Sequence, residues 1–274
     1  MREAAAVAAE QGTTPSEHEG ASAPTPSTPA SATAPTAPAN ATPAAASGSV
    51  GARPARLAVF DYDGTSINGQ SGGLFSVYLF RHGLLPLHTA VRLGWWGARY
   101  LFHLPHRQDE ARELVFARLG QLDPDRVVAI MNDFHDEYLI PRYRDAALAE
   151  VRRRHDEGCV TLLVSATFWS IARMAAEHMG MDGFVATKMT TDATGHYNGD
   201  VEGEVIQGPE KIRAVRAWAD ERFGTGGWTI AYAYGDHHSD EELLSAAGEA
   251  FAVCPGQTLE RIAKRQGWKI LDWQ

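Results

Sequence analysis

The feature that most constrains this chain is a short apolar run, Leu57-Ala58-Val59-Phe60, that stops abruptly in Asp61-Tyr62-Asp63-Gly64-Thr65. Apolar runs of this length, bounded by glycine and polar residues, fit strands buried on both faces. Comparable runs recur at 160–164, 183–186, 229–234 and 250–253, with helical periodicity between them over 169–179, 211–223 and 240–247. Strand and helix in alternation predict an α/β domain built on a doubly wound, mainly parallel sheet. Crossovers in such sheets are right-handed, and ligands collect beyond the carboxyl ends of the strands.

The alternation breaks once. Residues 67–150 are mainly helical in pattern and read as a helical cap inserted after the first strand. Gly195, Asn198-Gly199 and Gly203, set among polar and β-branched residues, predict a β-hairpin between Met189 and Gln207. Residues 1–53 contain no aromatic residue and hold seven of the 14 prolines. Such a segment buries too little apolar surface to offset its ordering entropy, so it is expected to be a disordered tail. The expected organisation is therefore a tail over 1–53, a catalytic core over 54–66 and 151–274, and a cap over 67–150.

The net charge of the 274-residue chain is -9, which speaks against a basic nucleic-acid face. An acidic protein acting on an anion must supply local positive charge, from a metal or a lysine. Cys159 and Cys254 flank apolar runs and read as buried reduced thiols. The N-terminus lacks an apolar signal region, and the most apolar stretch, 84–104, contains Arg92 and Arg99. Neither a secretory signal nor a transmembrane helix is expected, and the cytoplasm is the expected location. Leu87, Val91 and Trp95 recur at four-residue spacing and share a helix face. Core packing is the first reading of that face. The second is an apolar roof over a substrate, or peripheral contact with a membrane surface.

Four polar clusters fall at or after the expected strand ends. Asp61 and Asp63 are two residues apart, and the turn into Gly64 can bring both to one opening. Such a pair can divide labour, one carboxylate as nucleophile and ligand, the other as proton carrier. Ser165 ends the second run, where its hydroxyl and the backbone N–H groups that follow, Ala166 first, suit a phosphate oxygen; a plain helix N-cap is the competing reading. Lys211 opens a helical pattern and can neutralise a transferring phosphoryl group, with Lys188 as its competitor. Asp236 and Asp240, four apart in Gly235-Asp236-His237-His238-Ser239-Asp240, form an oxygen-only set that suits Mg²⁺. Asp240 can instead be a helix cap. His237 and His238 read as a surface loop pair.

In order and spacing the segments FDYDGT, LLVSAT, GPEKIRAV and YAYGDHHSDEELL resemble the four motifs of the haloacid-dehalogenase-like (HAD) hydrolases. The phosphoserine-phosphatase-like subfamily IB is the nearest look. The resemblance covers residue 56 onward and is weakest in the cap. It implies that Asp61 is the nucleophile and a Mg²⁺ ligand, and that Asp63 is general acid then base, its backbone carbonyl also on the metal. Ser165, Ala166 and Lys211 would bind phosphoryl oxygens, Asp236 would bind Mg²⁺, and Asp240, Gly64 and Thr65 would support the site. The expected activity is hydrolysis of a small or amphipathic phosphomonoester. A lipid-type phosphate at a membrane surface, a phosphotransferase, and a non-catalytic phosphate-binding module are the alternatives. Gln70 stands where phosphoserine phosphatases carry an acidic residue, which weakens phosphoserine itself as the substrate.

Overall fold

The computed structural model describes residues 53–101 and 115–273. The expected tail therefore lies almost wholly outside the described residues, as does part of the expected cap. A seven-stranded sheet runs through the molecule in the order β4-β3-β2-β1-β5-β6-β7. Its strands are β1 (Ala55–Asp61), β2 (Val160–Phe168), β3 (Gly183–Thr191), β4 (Tyr197–Glu202), β5 (Trp228–Gly235), β6 (Glu249–Val253) and β7 (Lys269–Leu271). All neighbouring pairs are parallel except β3 and β4. This is the doubly wound α/β sheet that the sequence predicts. The β3–β4 pair is the predicted hairpin. Its turn is closed by Asp192, whose carboxylate accepts from the backbone N–H groups of Thr194 and His196.

The order of strands explains where a site can form. The chain leaves β1 toward β2 on one side and reaches β5 on the other, so the end of β1 is the switch point of the sheet. Side-chain alternation along β1 then sorts its residues. Leu57 and Val59 belong to the core layer that contains Ile212, Val215 and Ala219. Ala58, Phe60 and Tyr62 belong to the opposite layer. Asp61 shares parity with Leu57 and Val59, which places it on the side of Ile212 and its neighbours. Each buried Leu, Val or Phe in these layers contributes about 1.5–3 kcal/mol. On the other face Phe60, Tyr234 and Phe251 stand beside one another across β1, β5 and β6, with ring centroids 4.2 and 4.7 Å apart. Cross-strand aromatic pairs of this sort fix register.

Helices connect the parallel strands: α5 (Trp169–Met179) after β2, α6 (Pro209–Phe223) before β5, α7 (Glu241–Ser245) before β6, and α8 (Gln257–Gln266) before β7. Between β1 and β2 lie α1 (Ser71–Arg81), α2 (Leu87–Leu101), a helical stretch over 115–119, α3 (Pro124–Phe134) and α4 (Asp145–Asp156). A π-helical turn, His135–Leu139, follows α3 directly. The helix α4 runs through residue 150, the expected end of the cap. Asp123 caps α3 by accepting from the Asp125 N–H, and Pro124 takes the first helical position.

One expectation from periodicity is reversed. Leu87, Val91 and Trp95 do share a face of α2, but that face is not in the core. They are 71%, 63% and 65% exposed, whereas Thr89 and Leu93 on the far side are buried. Among the described residues no helix is long and apolar enough to cross a membrane. Cys159 is buried, Cys254 half-buried, and both are free thiols.

Candidate active site

Register brings the predicted residues level. Asp61 pairs with Val164, and Phe60 with Tyr234. Asp61, Ser165 and Gly235 therefore lie side by side at the carboxyl ends of β1, β2 and β5, with Asp236 one residue further on. Gly64 lies close against Asp236. Its φ is +77°, and a Cβ there would fall 2.1 Å from the Asp236 Oδ2. Gly235 is required for a similar reason, since a Cβ would meet Asp240 at 2.8 Å.

Lys211, in the first turn of α6, is 4% exposed. Its Nζ donates to Asp61 Oδ1 at 2.7 Å and to Asp240 Oδ1 at 2.6 Å. A buried ammonium held this way stays charged: burial opposes it, but Asp61 and Asp240 together raise its pKa above the ordinary lysine value. Lys188 is excluded from the cluster, because it is exposed and pairs with Glu202 across the β3–β4 hairpin. Asp240 is fully buried, and its second oxygen accepts from the His237 N–H at 3.2 Å. It makes no side-chain cap to α7. Its work is to hold Lys211 and the loop after β5. His237 and His238 are exposed, with ring centroids 3.9 Å apart.

Asp61, Asp236 and Asp240 each bring a carboxylate oxygen within 4.8 Å of the others. Thr65 donates to Asp236 at 3.4 Å, and Ser66 donates to the Asp61 carbonyl at 2.6 Å, pinning the turn. Burial raises the Asp61 carboxyl well above its ordinary value, Lys211 opposes that, and Asp240 and Asp236 add to it. Burial and then Asp240 push Asp236 up to about 7. With Asp63 included, four carboxylates gather around one ammonium. That surplus of negative charge, offered by oxygen donors alone, fits a hard divalent cation such as Mg²⁺.

Asp63 has a different environment. Its two oxygens accept from the Ser71 N–H at 2.6 Å and the Ser71 hydroxyl at 2.9 Å. Burial pushes its pKa up to about 6, against those two hydrogen bonds. Ser71 is fully buried at the start of α1, and its hydroxyl lies 2.7 Å from that of Thr167. Thr167 in turn donates its N–H to Ser165 Oγ at 3.0 Å. A continuous chain of hydrogen bonds thus joins Asp63, Ser71, Thr167 and Ser165. Ser165 is not a helix cap, since β2 continues to Phe168 and α5 begins at Trp169. The pairing of β2 with β3 skips Ala166 and Thr167, a bulge that takes the Ala166 N–H out of the ladder with β3. Its Oγ occupied as an acceptor, Ser165 keeps its O–H to donate.

Sequence reasoning missed Ser71, Thr167, Ser66 and Arg144. Arg144 reaches the Gly64 carbonyl at 3.3 Å and also donates to the Trp273 carbonyl, tying the β1 turn to the C-terminal segment.

Residues 58–245 match the haloacid dehalogenase-like hydrolases. The chain belongs to that family. A histidinol-phosphatase of Neisseria meningitidis is 26% identical over 80% of this chain and 99% of its own. A phosphoserine phosphatase of Mycobacterium tuberculosis is 27% identical over 84% of this chain and 76% of its own. A solved protein of unknown function from Bordetella pertussis Tohama I superimposes with a TM-score of 0.74 at 26% identity, covering 81% of this chain and all of that one. The enzyme is a phosphoric monoester hydrolase of that family.

Proposed function

We propose that this hydrolase cleaves a small or amphipathic phosphomonoester through a phospho-aspartate at Asp61, with Mg²⁺ as its metal. The observation that carries the reading is the buried Lys211, held between Asp61 and Asp240 at the switch point of the sheet. A carboxylate flanked by a fixed cation is placed to attack an anionic phosphoryl group that would otherwise be repelled.

An Asp61 oxygen attacks phosphorus. The P–O bond to the organic group breaks, and its electron pair goes to the departing alkoxide. Asp63 gives that alkoxide its proton; a carboxyl poised at about 6 is partly protonated near neutral pH. Water then attacks the phosphorus of the aspartyl phosphate, and the Asp63 carboxylate takes its proton. Phosphate leaves and Asp61 is restored. Lys211, the Ser165 hydroxyl and the Ala166 N–H hold phosphoryl oxygens during both displacements. Asp61, the Asp63 carbonyl and Asp236 would hold the metal, with Asp240, Gly64 and Thr65 supporting them. Bound there, Mg²⁺ supplies charge neutralisation and polarisation of a phosphoryl oxygen.

We assign residues 54–66 and 151–274 to the catalytic core and 67–150 to a cap that contributes Ser71. A cavity of about 160 Å³ lined by Phe116, Phe168, Trp169, Lys188, Met189 and Tyr197 lies past Thr167 on β2, where it can receive the organic part of the substrate. The relatives named above make amino-alcohol and amino-acid phosphates the first substrates to assay. Gln70, exposed and carrying no carboxylate, offers no charge partner to a substrate ammonium, so phosphomonoesters without an amino group belong in the same assay. The test is an acid quench during single turnover followed by peptide mass spectrometry. Phosphate is expected on the peptide bearing Asp61, and only when Mg²⁺ follows removal of metal by EDTA. Full turnover in EDTA, or no phosphopeptide at any time, overturns the reading. Added acceptor alcohols separate hydrolysis from phosphoryl transfer.

A further inference from the structure

Nine large hydrophobic side chains stand exposed among the described residues, and five of them lie in one helical hairpin: Val77 and Phe80 on α1, and Leu87, Val91 and Trp95 on α2. The two helices pack against one another and are anchored from within, α1 by Phe75, Tyr78 and Leu79 and α2 by Thr89 and Leu93. The three on α2 fall within an arc of about 80° at 100° per residue. A soluble helix normally turns such a stripe inward. Here the inward positions are already filled, so the stripe is a second apolar face.

The hairpin's own sequence is one-sided in charge, and an acid from outside it, Glu137 of the π-helical turn, lies 3.4 Å from His82. From Gly64 to Gln108 the chain contains no Asp or Glu, yet it holds Arg81, Arg92, Arg99 and Arg107, in a protein whose net charge is -9. Arg81, His82, His88 and Arg92 are exposed. Aromatic and aliphatic side chains flanked by arginines, with no acid in the same segment, match the requirements of the bilayer interface. The apolar groups enter the acyl boundary while basic groups remain at the anionic headgroups. A second copy of the chain fits less well. A two-fold contact would bring the arginines of both hairpins to one interface, with no acid in either hairpin segment to pair them.

We propose that the outer face of the α1–α2 hairpin docks this enzyme on an anionic lipid bilayer. The hairpin is rooted in the active site, since Ser71 at the start of α1 holds the Asp63 carboxylate. Docking would therefore place the active site near the membrane surface and favour substrates that reside there.

The test uses the full chain and two vesicle preparations, phosphatidylcholine alone and phosphatidylcholine with about one-third phosphatidylglycerol. In flotation the protein is expected on the anionic vesicles, several-fold more than on the neutral ones, with loss at high salt. The double variant Val91→Glu/Trp95→Glu is expected to lower the bound fraction by about tenfold. Its hydrolysis of soluble 4-nitrophenyl phosphate should equal that of the parent, which shows that it is folded. Ile270→Glu, at an exposed apolar position on β7, should float like the parent. Equal recovery on both vesicles, or a double variant that floats like the parent, overturns the proposal. So does a dimer in light scattering that the double variant dissociates, because the face would then belong to a second copy. Flotation is read without turnover, so a failed catalytic assignment does not alter its outcome.

Discussion

Lys211 and Trp95 sit at opposite extremes for their kinds: the lysine is 4% exposed and the tryptophan 65%. At the strand ends the molecule buries charge, and on the hairpin it exposes hydrocarbon. Each arrangement costs stability unless something offsets it. For Lys211 the offset is internal, two carboxylates at hydrogen-bond distance. For Trp95 nothing within the described residues covers the side chain. The contrast teaches that the strand ends are self-sufficient in structure and specialised for chemistry, while the hairpin is completed from outside. It also divides mutations into two groups that should behave differently.

The largest effect belongs to the charge cluster. Asp61→Asn should reduce turnover by on the order of 10⁴-fold, because the near-isosteric amide is a poor nucleophile toward phosphorus. Lys211 keeps its bond to Asp240 in that variant, so the melting temperature should hold. Retention of more than a trace of activity would remove Asp61 from its role. Lys211→Met should lose activity too, and stability with it. Removing one partner of a buried charge group leaves the others uncompensated, at about 3–5 kcal/mol. Denaturant titration in EDTA reads this directly. A Lys211→Met protein as stable as its parent would mean that Asp61 and Asp240 need no cation, and the contrast between the two regions would fail.

Asp63→Asn separates proton transfer from attack. With alkyl phosphates the first step should slow by about 10²- to 10³-fold, since the alkoxide needs a proton. With an aryl phosphate that step should slow much less. Equal losses on both substrates would count against Asp63 as the leaving-group acid. Ser71→Ala should act more gently and mainly on pH dependence. Ser71 bonds the ionised form of Asp63 and so lowers a pKa that burial has raised to about 6. The variant keeps the N–H bond and loses the hydroxyl bond, so the pKa rises further and ionised Asp63 is available only at higher pH. The rising limb for hydrolysis of the phosphoenzyme should move to higher pH, measured in single turnover. An unmoved limb with a lower plateau would mean that Ser71 matters only for structure.

What could be read from the sequence follows the same division. Asp61, Ser165, Lys211, Asp236 and Asp240 were legible because each lies at a strand end or in a first helical turn, positions that periodicity locates. Ser71 was not legible. Its contact with Asp63 depends on how the intervening turn closes, and Gln70-Ser71-Gly72-Gly73 carries no periodic signal. Thr167 was hidden by the bulge at Ala166 and Thr167, which carries β2 on to Phe168 where a helix start was the simpler reading. The strand β7 is only three residues long, too short for an alternation to show. For α2 the periodicity correctly grouped Leu87, Val91 and Trp95. Periodicity does not say whether a shared face points in or out, and the preference for the core was wrong for that reason.

The smallest expected effect is the sharpest check of the contrast. Trp95→Glu introduces a charge at a large aromatic position, a change that would unfold most proteins if the side chain were buried. Leu163→Glu does the same on β2, where the leucine is fully buried. It should fail to give a folded enzyme, because an unpaired carboxylate in that layer has no partner. Trp95→Glu should change unfolding free energy by no more than about 0.5 kcal/mol, the range for surface substitutions away from special contacts. Its rate on a soluble aryl phosphate should match the parent within error. The exposed indole loses only the cost of its own hydration when replaced, so a small gain in stability is also consistent. If Trp95→Glu instead destabilised the enzyme by several kcal/mol, the α2 face would be packed in solution. The first reading of the periodicity would then be restored, and the hairpin would belong to the same self-sufficient interior as the strand ends.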